Sequence, residues 1–456
     1  ILALLADDRG ANLAILGAIL LFGMTVTELR HTPAPPTGTP GEYEIVVRER
    51  LSEREGKTAS GTTIRARRNS ATGEWLPAAG NLVVRCDSST ALNPGDRAVV
   101  RGKIYPFTAR HGGYGRLMTR RGYVGTLYLN RSSLLLRDTL HRELSPKHLS
   151  LFLHERAVAR LDRLALAPDE QALCNAMTAG DRRSLSPALR AAYSRSGTSH
   201  LLAVSGLHVG IVFLLANLLL WWLPLFRHGH ILRNIAVILL IWLYAATTGF
   251  PPSVVRATLM FSVLQFALAS SSEYVGMNTL AGVAFVMLLF HPDYLFDISF
   301  QLSFIAVAGI IAWGLPLCRL LRTRRKSIDM LTATLAIGFS ASAATAPLIS
   351  HTFGQISVVG LALNPVVILL SYVVVGSCTL WLVIPGTVLA PLFSVVAGFA
   401  ARAQNELIRA AAALPAAALD IRLTTTQCWI VYGLFIFATL LLWSAERKKS
   451  VSSLPE

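Results

Sequence analysis

The residues best placed to do chemistry lie in one stretch, Gly197–Val212 (GTSHLLAVSGLHVGIV), which carries two histidines, a serine and glycines into an apolar run. Ionisable side chains in a membrane-length segment are costly and mark a site or a pathway. Ser205 and His208 stand three residues apart, a spacing open to a nucleophile and its base. No third orienting group or oxyanion donor accompanies them, so packing or pore lining is favoured over catalysis. On a helical wheel His200, Ser205 and His208 share one side. Gly206 and Gly210 occupy the other, a small-xxx-small pair that admits a neighbouring helix.

Other polar residues interrupt later apolar runs. Arg256 follows two prolines in PPSVVRATLMF; Asp297 and Gln301, one turn apart, open DISFQLSF; His351 and Asn364 flank a further run. Each alone reads most simply as a helix–helix hydrogen bond. Together, His200, Ser205, Gly206, His208, Arg256, Asp297, Gln301 and Asn364 form a candidate vestibule, with Arg256 and Asp297 as a candidate pair. Ser299 and Ser303 fall on the other side of the Asp297 helix. The run His228-Gly229-His230 has no acidic partner and sits in a basic loop, and no GxxxxGK[ST] phosphate loop occurs. No metal and no cofactor are expected.

The elements that must hold these residues are membrane helices. The 456 residues are 53% hydrophobic and 15% charged, whereas soluble domains carry roughly a quarter charged residues. The fold class expected is a mainly α polytopic membrane protein of about nine to eleven transmembrane segments, some broken or re-entrant, with an inserted small β-barrel. Residues 1–29 read as N-terminal transmembrane segments, the first truncated, since Ile1–Ala6 resembles the tail of an apolar run. Residues 30–145 alternate in short β-branched runs (EYEIVVRE, TTIRAR, NLVVRC, DRAVVRGKI, GYVGTLYL) separated by Gly, Pro and Asn. Five such strands fit an OB-like barrel. Residues 146–198 form an amphipathic helical connector, with a helix break and restart at Asp181–Ser186. Residues 199–445 form the polytopic domain and 446–456 a basic tail.

Charge sets orientation and partners. The net charge is +16, and the block from Arg30 to Ser150 holds 20 Lys and Arg against 10 Asp and Glu. A polyanion, nucleic acid or anionic lipid, suits such a block. Single strands bind to basic grooves interleaved with aromatic rings. The candidates are Arg65, Arg67, Arg101, Lys103, Tyr105, Arg110, Tyr114, Arg116, Arg120 and Arg121, densest in RHGGYGRLMTRR. Lys/Arg-rich loops at 227–233 and 319–326 stay cytoplasmic, which places the β-domain outside and the 446–456 tail inside. The five cysteines are scattered, with no CxxC. A small-solute or ion transporter with a basic, membrane-docking outer domain is the competing class. It should show inverted repeats, and none is visible.

The motifs HLLAVSGLHVGIV, GFPPSVVRATLMF and DISFQLSFIAVAGI, in that order, together with NPGDRAVVRGKIYPF in a basic β-domain, closely resemble the ComEC competence family. That resemblance implies an inner-membrane channel for single-stranded DNA in natural transformation. It implies a DNA receptor and pilus components outside, and a helicase-type motor with single-strand binding and recombination proteins inside. Self-association stays open. Many members end in a metallo-β-lactamase-like nuclease domain with an HxHxDH motif. No such motif occurs in these residues, so neither enzyme activity nor a metal is assigned to them.

Overall fold

The computed structural model describes residues 38, 40–54, 57–69, 72–87, 90, 92–93, 95–107, 115, 118–119, 122–138, 146–270, 276–357, 359–384, 390–414 and 418–452. Residues 1–29 and the stretch holding Arg110, Tyr114, Arg116, Arg120 and Arg121 lie outside that description. The chain divides into two compact units, Ile1–Leu153 with Met287–Phe296, and His154–Val286 with Asp297–Glu456.

The first unit holds a six-stranded sheet: β1 (Pro40–Arg54), β2 (Lys57–Arg68), β3 (Trp75–Asp87), β4 (Arg97–Pro106), β5 (Tyr123–Leu129) and β6 (Leu134–Asp138). Strand order is β1-β2-β3-β5-β4, and β4 pairs again with β1, so the sheet closes into the expected barrel. Only β3 and β5 run parallel. Period-two alternation does the sorting: Tyr43, Ile45 and Val47, then Leu82 and Val84, then Ala98 and Val100, point into one core with Ile64, Ile104 and Leu127. Each such side chain contributes roughly 1.5–3 kcal/mol by leaving water. Register shifts along β1 bend it far enough to serve both neighbours. Closure also needs Gly125, because a Cβ there would lie 2.5 Å from the Tyr105 carbonyl oxygen of β4. The sixth strand was not expected, since LLLRD shows no alternation. Arg137 secures it, donating from Nε (3.0 Å) and Nη2 (2.7 Å) to the buried Oδ2 of Asp96.

Beyond the sheet the chain is mainly helical. The connector becomes α1 (Pro146–Leu161), α2 (Pro168–Thr178) and α3 (Pro187–Arg195), and the restart falls where Ser186 Oγ accepts the Leu189 N–H at 3.2 Å. Then come α4 (Gly206–Leu219), α5 (Gly229–Thr247), α6 (Pro252–Ser270), α7 (Gly276–Phe290), α8 (Ile298–Leu320), α9 (Lys326–Phe353), α10 (Val359–Val383), α11 (Ala390–Ala412) and α12 (Thr425–Ser452). Among the described residues five helices are long and apolar enough to cross a membrane: Gly206–Leu225, α5, α8, Ile328–Phe353 and Ala362–Val383. Three shorter apolar helices accompany them, Pro252–Leu268, Gly276–Phe290 and Thr425–Thr439. The protein is a membrane protein.

The irregular backbone is not where proline alone would put it. α9 and α10 continue through Pro347 and Pro365. The breaks lie instead at Gly249 and Phe250, both at positive φ before Pro251, and at a π-turn over Ile310–Gly314. The connector packs into the bundle. Leu161, Leu173, Met177 and Tyr193 share a core with Val367 and Val374 of α10 and Ala397, Ala401 and Ile408 of α11. α11 begins with an apolar half, and its second half is charged and tied to the connector. Arg402 Nε meets Glu170 Oε1 at 2.8 Å, and Arg409 pairs with Asp169.

Candidate functional site: a buried arginine layer and a basic barrel face

The helix that begins at Gly206 explains the Ser205–His208 spacing. Ser205 is the N-cap residue in extended backbone, and His208 is the third residue of the helix. His208 Nδ1 accepts the Ser205 backbone N–H at 2.9 Å and lies 3.1 Å from Ser205 Oγ. The ring closes a capping box in the role glutamate usually takes. Its Nδ1 lone pair already serves the backbone amide, so it is badly placed to take the serine proton. His208 is fully buried, and among the described residues its Nε2 has no hydrogen-bond partner. His200 sits before the helix, exposed in the turn Ser199–Leu201. It therefore does not share a helical face with Ser205 and His208, as a wheel drawn from His200 supposes.

Gly206 and Gly210 both face α6. A Cβ on Gly206 would stand 3.1 Å from Arg256 Nη2, and one on Gly210 would stand 3.3 Å from the Phe261 ring. The missing side chain at Gly206 thus leaves room for the arginine against α4. Arg256 is only 7% exposed. Its Nε donates to Ser303 Oγ of α8 at 2.6 Å, its Nη1 reaches Met260 Sδ at 3.4 Å, and its guanidinium lies 5.8 Å from the Phe304 ring centre. A serine hydroxyl, a thioether and an aromatic face surround a fixed cation whose planar fork matches phosphate. Ser253, one turn earlier, ties the same end of α6 to α4 through the Val204 carbonyl at 3.0 Å.

Asp297 does not pair with Arg256. Its Oδ1 accepts the Ser299 and Phe300 N–H groups at 2.8 and 3.1 Å, which makes it the N-cap of α8. Gln301 follows one turn later, partly buried. Asn364 lies on α10 with its Oδ1 buried and, among the described residues, without a partner, on a helix that packs against α4. The structure therefore brings together Gly206, Arg256 and Ser303, with Ser205 and His208 on the adjoining turn of α4. Ser303 was missed because a wheel of α8 alone puts it opposite Asp297, and only the position of α6 shows which side is occupied.

On the barrel, the outward positions of β3, β5 and β4 form a second group. Arg101, Lys103 and Tyr105 are exposed on β4, Tyr128 on β5 and Arg85 on β3, where Arg85 is the register partner of Tyr128. Tyr105 and Tyr128 meet edge to face at 5.8 Å, and Lys103 Nζ stands 5.7 Å from the Tyr105 ring centre. Such a strip offers rings for bases and cations for phosphates. Part of its charge is engaged: Arg101 Nε donates to Glu42 Oε1 at 2.9 Å and Arg68 Nη1 to Oε2 at 3.1 Å. Those bonds, Arg101 first, hold the Glu42 carboxyl below the usual carboxylate range. Arg65 is exposed on β2, while Arg67 is half-buried beside Tyr43. Tyr128 was not among the expected residues, because the β4–β5 register decides that it meets Tyr105.

A family model described as "Competence protein" matches residues 177–448, a stretch that takes in Ser205, Gly206, His208, Arg256, Ser303 and Asn364. The chain is 32% identical over 204 residues to "ComE operon protein 3" of Bacillus subtilis (strain 168), covering 44% of this chain and 24% of that protein. It is 30% identical over 201 residues to an uncharacterised protein of Aquifex aeolicus (strain VF5), covering 44% of this chain and 45% of that one. The chain thus spans less than half the length of either relative. No solved structure matches it.

Proposed function

The chain belongs to the competence protein family, and from that premise we propose that it carries single-stranded DNA through the bacterial cytoplasmic membrane during natural transformation. The observation that carries the reading is the exposed strip Arg85–Tyr128–Tyr105–Lys103–Arg101 on the barrel. Two adjoining rings flanked by cations along one barrel face suit an unpaired strand. Arg256 is the candidate phosphate contact inside the bundle, seated by Gly206 and oriented by Ser303. On this reading the β-domain receives the strand outside from a DNA receptor and pilus components. A helicase-type motor and single-strand binding and recombination proteins take it up inside. The chain works as a conduit rather than an enzyme.

The deciding experiment is uptake of labelled DNA by a strain lacking its own copy and complemented with this chain. Arg256→Gln and the double variant Tyr105→Ala/Tyr128→Ala should each lower nuclease-protected label by about tenfold, equivalent to about 1.4 kcal/mol, at unchanged membrane abundance. Wild-type uptake by both variants would overturn the reading.

A further inference from the structure

A second polar cluster joins α4, α5 and α6, toward the ends of α4 and α6 opposite Gly206 and Arg256. Gln265 of α6 is 3% exposed, inside an apolar helix. Its Nε2 donates to Asn234 Oδ1 of α5 at 2.6 Å, and its Oε1 accepts from Asn217 Nδ2 of α4 at 3.4 Å. Asn217 Nδ2 also donates to the Phe213 carbonyl at 3.0 Å, and Asn217 Oδ1 accepts from Arg233 Nη2 of α5 at 2.8 Å. The chain of amides has a direction. Every amide oxygen in it already accepts a bond, and the guanidinium at its end has spent one of five donors. Arg233 Nε is buried without a partner, and among the described residues no carboxylate pairs with Arg233. The cluster is rich in donors, short of acceptors and positively charged, which selects an anion with several acceptor oxygens.

Its surroundings indicate which anion. Leu214 and Trp221 flank Asn217 along the span Gly206–Leu225 and are 62% and 66% exposed, and Leu240, two turns beyond Arg233 on α5, is 38% exposed. Arg227, His228 and His230 are exposed at the start of α5, where the helix adds its N-terminal partial positive charge. Exposed apolar side chains along the helices, with an aromatic ring and cations at one end, match an acyl chain below and a phosphate above. The geometry points to a seat for the phosphate of an anionic phospholipid between α4 and α5, with Arg233 as the contact and Asn217, Gln265 and Asn234 holding it in place. The basic 227–233 loop puts this seat in the cytoplasmic leaflet. The inference does not depend on what the protein transports.

The test is native mass spectrometry of the full chain, released from detergent after titration with phosphatidylglycerol or phosphatidylcholine. Wild type should retain phosphatidylglycerol at least about tenfold better than phosphatidylcholine. Arg233→Gln should lose that preference, and Arg233→Lys should keep part of it. Should Arg233→Gln fail to fold, the thermal midpoint of the wild type still decides, since phosphatidylglycerol should raise it and phosphatidylcholine should not. Equal retention of the two lipids, unchanged preference in Arg233→Gln, or displacement of phosphatidylglycerol by a single-stranded oligonucleotide would each overturn the seat.

Discussion

Arg256 and His208 show how far a buried polar side chain depends on its second contact. The Arg256–Ser303 bond joins α6 to α8 through a charged donor, and such bonds contribute about 1.5–3 kcal/mol when buried. Ser303→Ala should therefore lower the thermal midpoint of the detergent-solubilised protein. In a double-mutant cycle with Arg256→Gln the two losses should fall short of additive, as expected for residues in contact. Ser205 is assigned to a cap, so Ser205→Ala should cost about 1 kcal/mol of stability while labelled-DNA uptake stays within about twofold of wild type. Complete loss of uptake in a folded Ser205→Ala protein would instead restore the serine as a nucleophile.

At the scale of elements, the proposed single-strand interface lies across β4 and β5 of the barrel and is tuned from β1. Glu42 holds Arg101 and Arg68 by two hydrogen bonds. Glu42→Gln removes one negative charge from the strip and should tighten single-strand binding by the full chain, measured by fluorescence anisotropy. The same pair predicts a pH response. Because the folded carboxyl sits below its unfolded value, its contribution is complete above the ordinary glutamate value and is lost as pH falls through the lower folded value, below about pH 4. Single-strand affinity should rise in that window in wild type and stay flat in Glu42→Gln. Gly125 limits the same two strands sterically: Gly125→Ala places a methyl against the Tyr105 carbonyl. It should separate Tyr105 from Tyr128, seen as lost amide protection in β4 and β5.

For the molecule as a whole, the proposed single-strand binding is a matter of counted charges. Replacing Arg85, Arg101 and Lys103 together by glutamine removes three phosphate contacts. The slope of log affinity against log salt should then flatten by about 2 for single strands; an unchanged slope would remove the strip from the interface. Much of this molecule was legible beforehand. Apolar runs of membrane length, period-two alternation in EYEIVV and NLVVRC, and a charge-dense block between them specify local structure, because burial of apolar area is decided residue by residue. The polar residues at the starts of PPSVVRATLMF and DISFQLSF were visible for the same reason: they interrupt runs that should be apolar. Their partners were not visible. Asp297 looked like a mate for Arg256 and is a helix cap, Ser303 looked remote and is the mate, and β6, Tyr128 and the Asn217–Gln265–Asn234–Arg233 chain depend on which strand or helix lies alongside. By itself the sequence determined the class of protein, a small β-domain, the apolar helices and the residue types able to meet phosphate. Only the tertiary structure decided which of them meet, because hydrogen bonds act within about 3 Å and the separation of distant segments is set by packing, not by spacing along the chain.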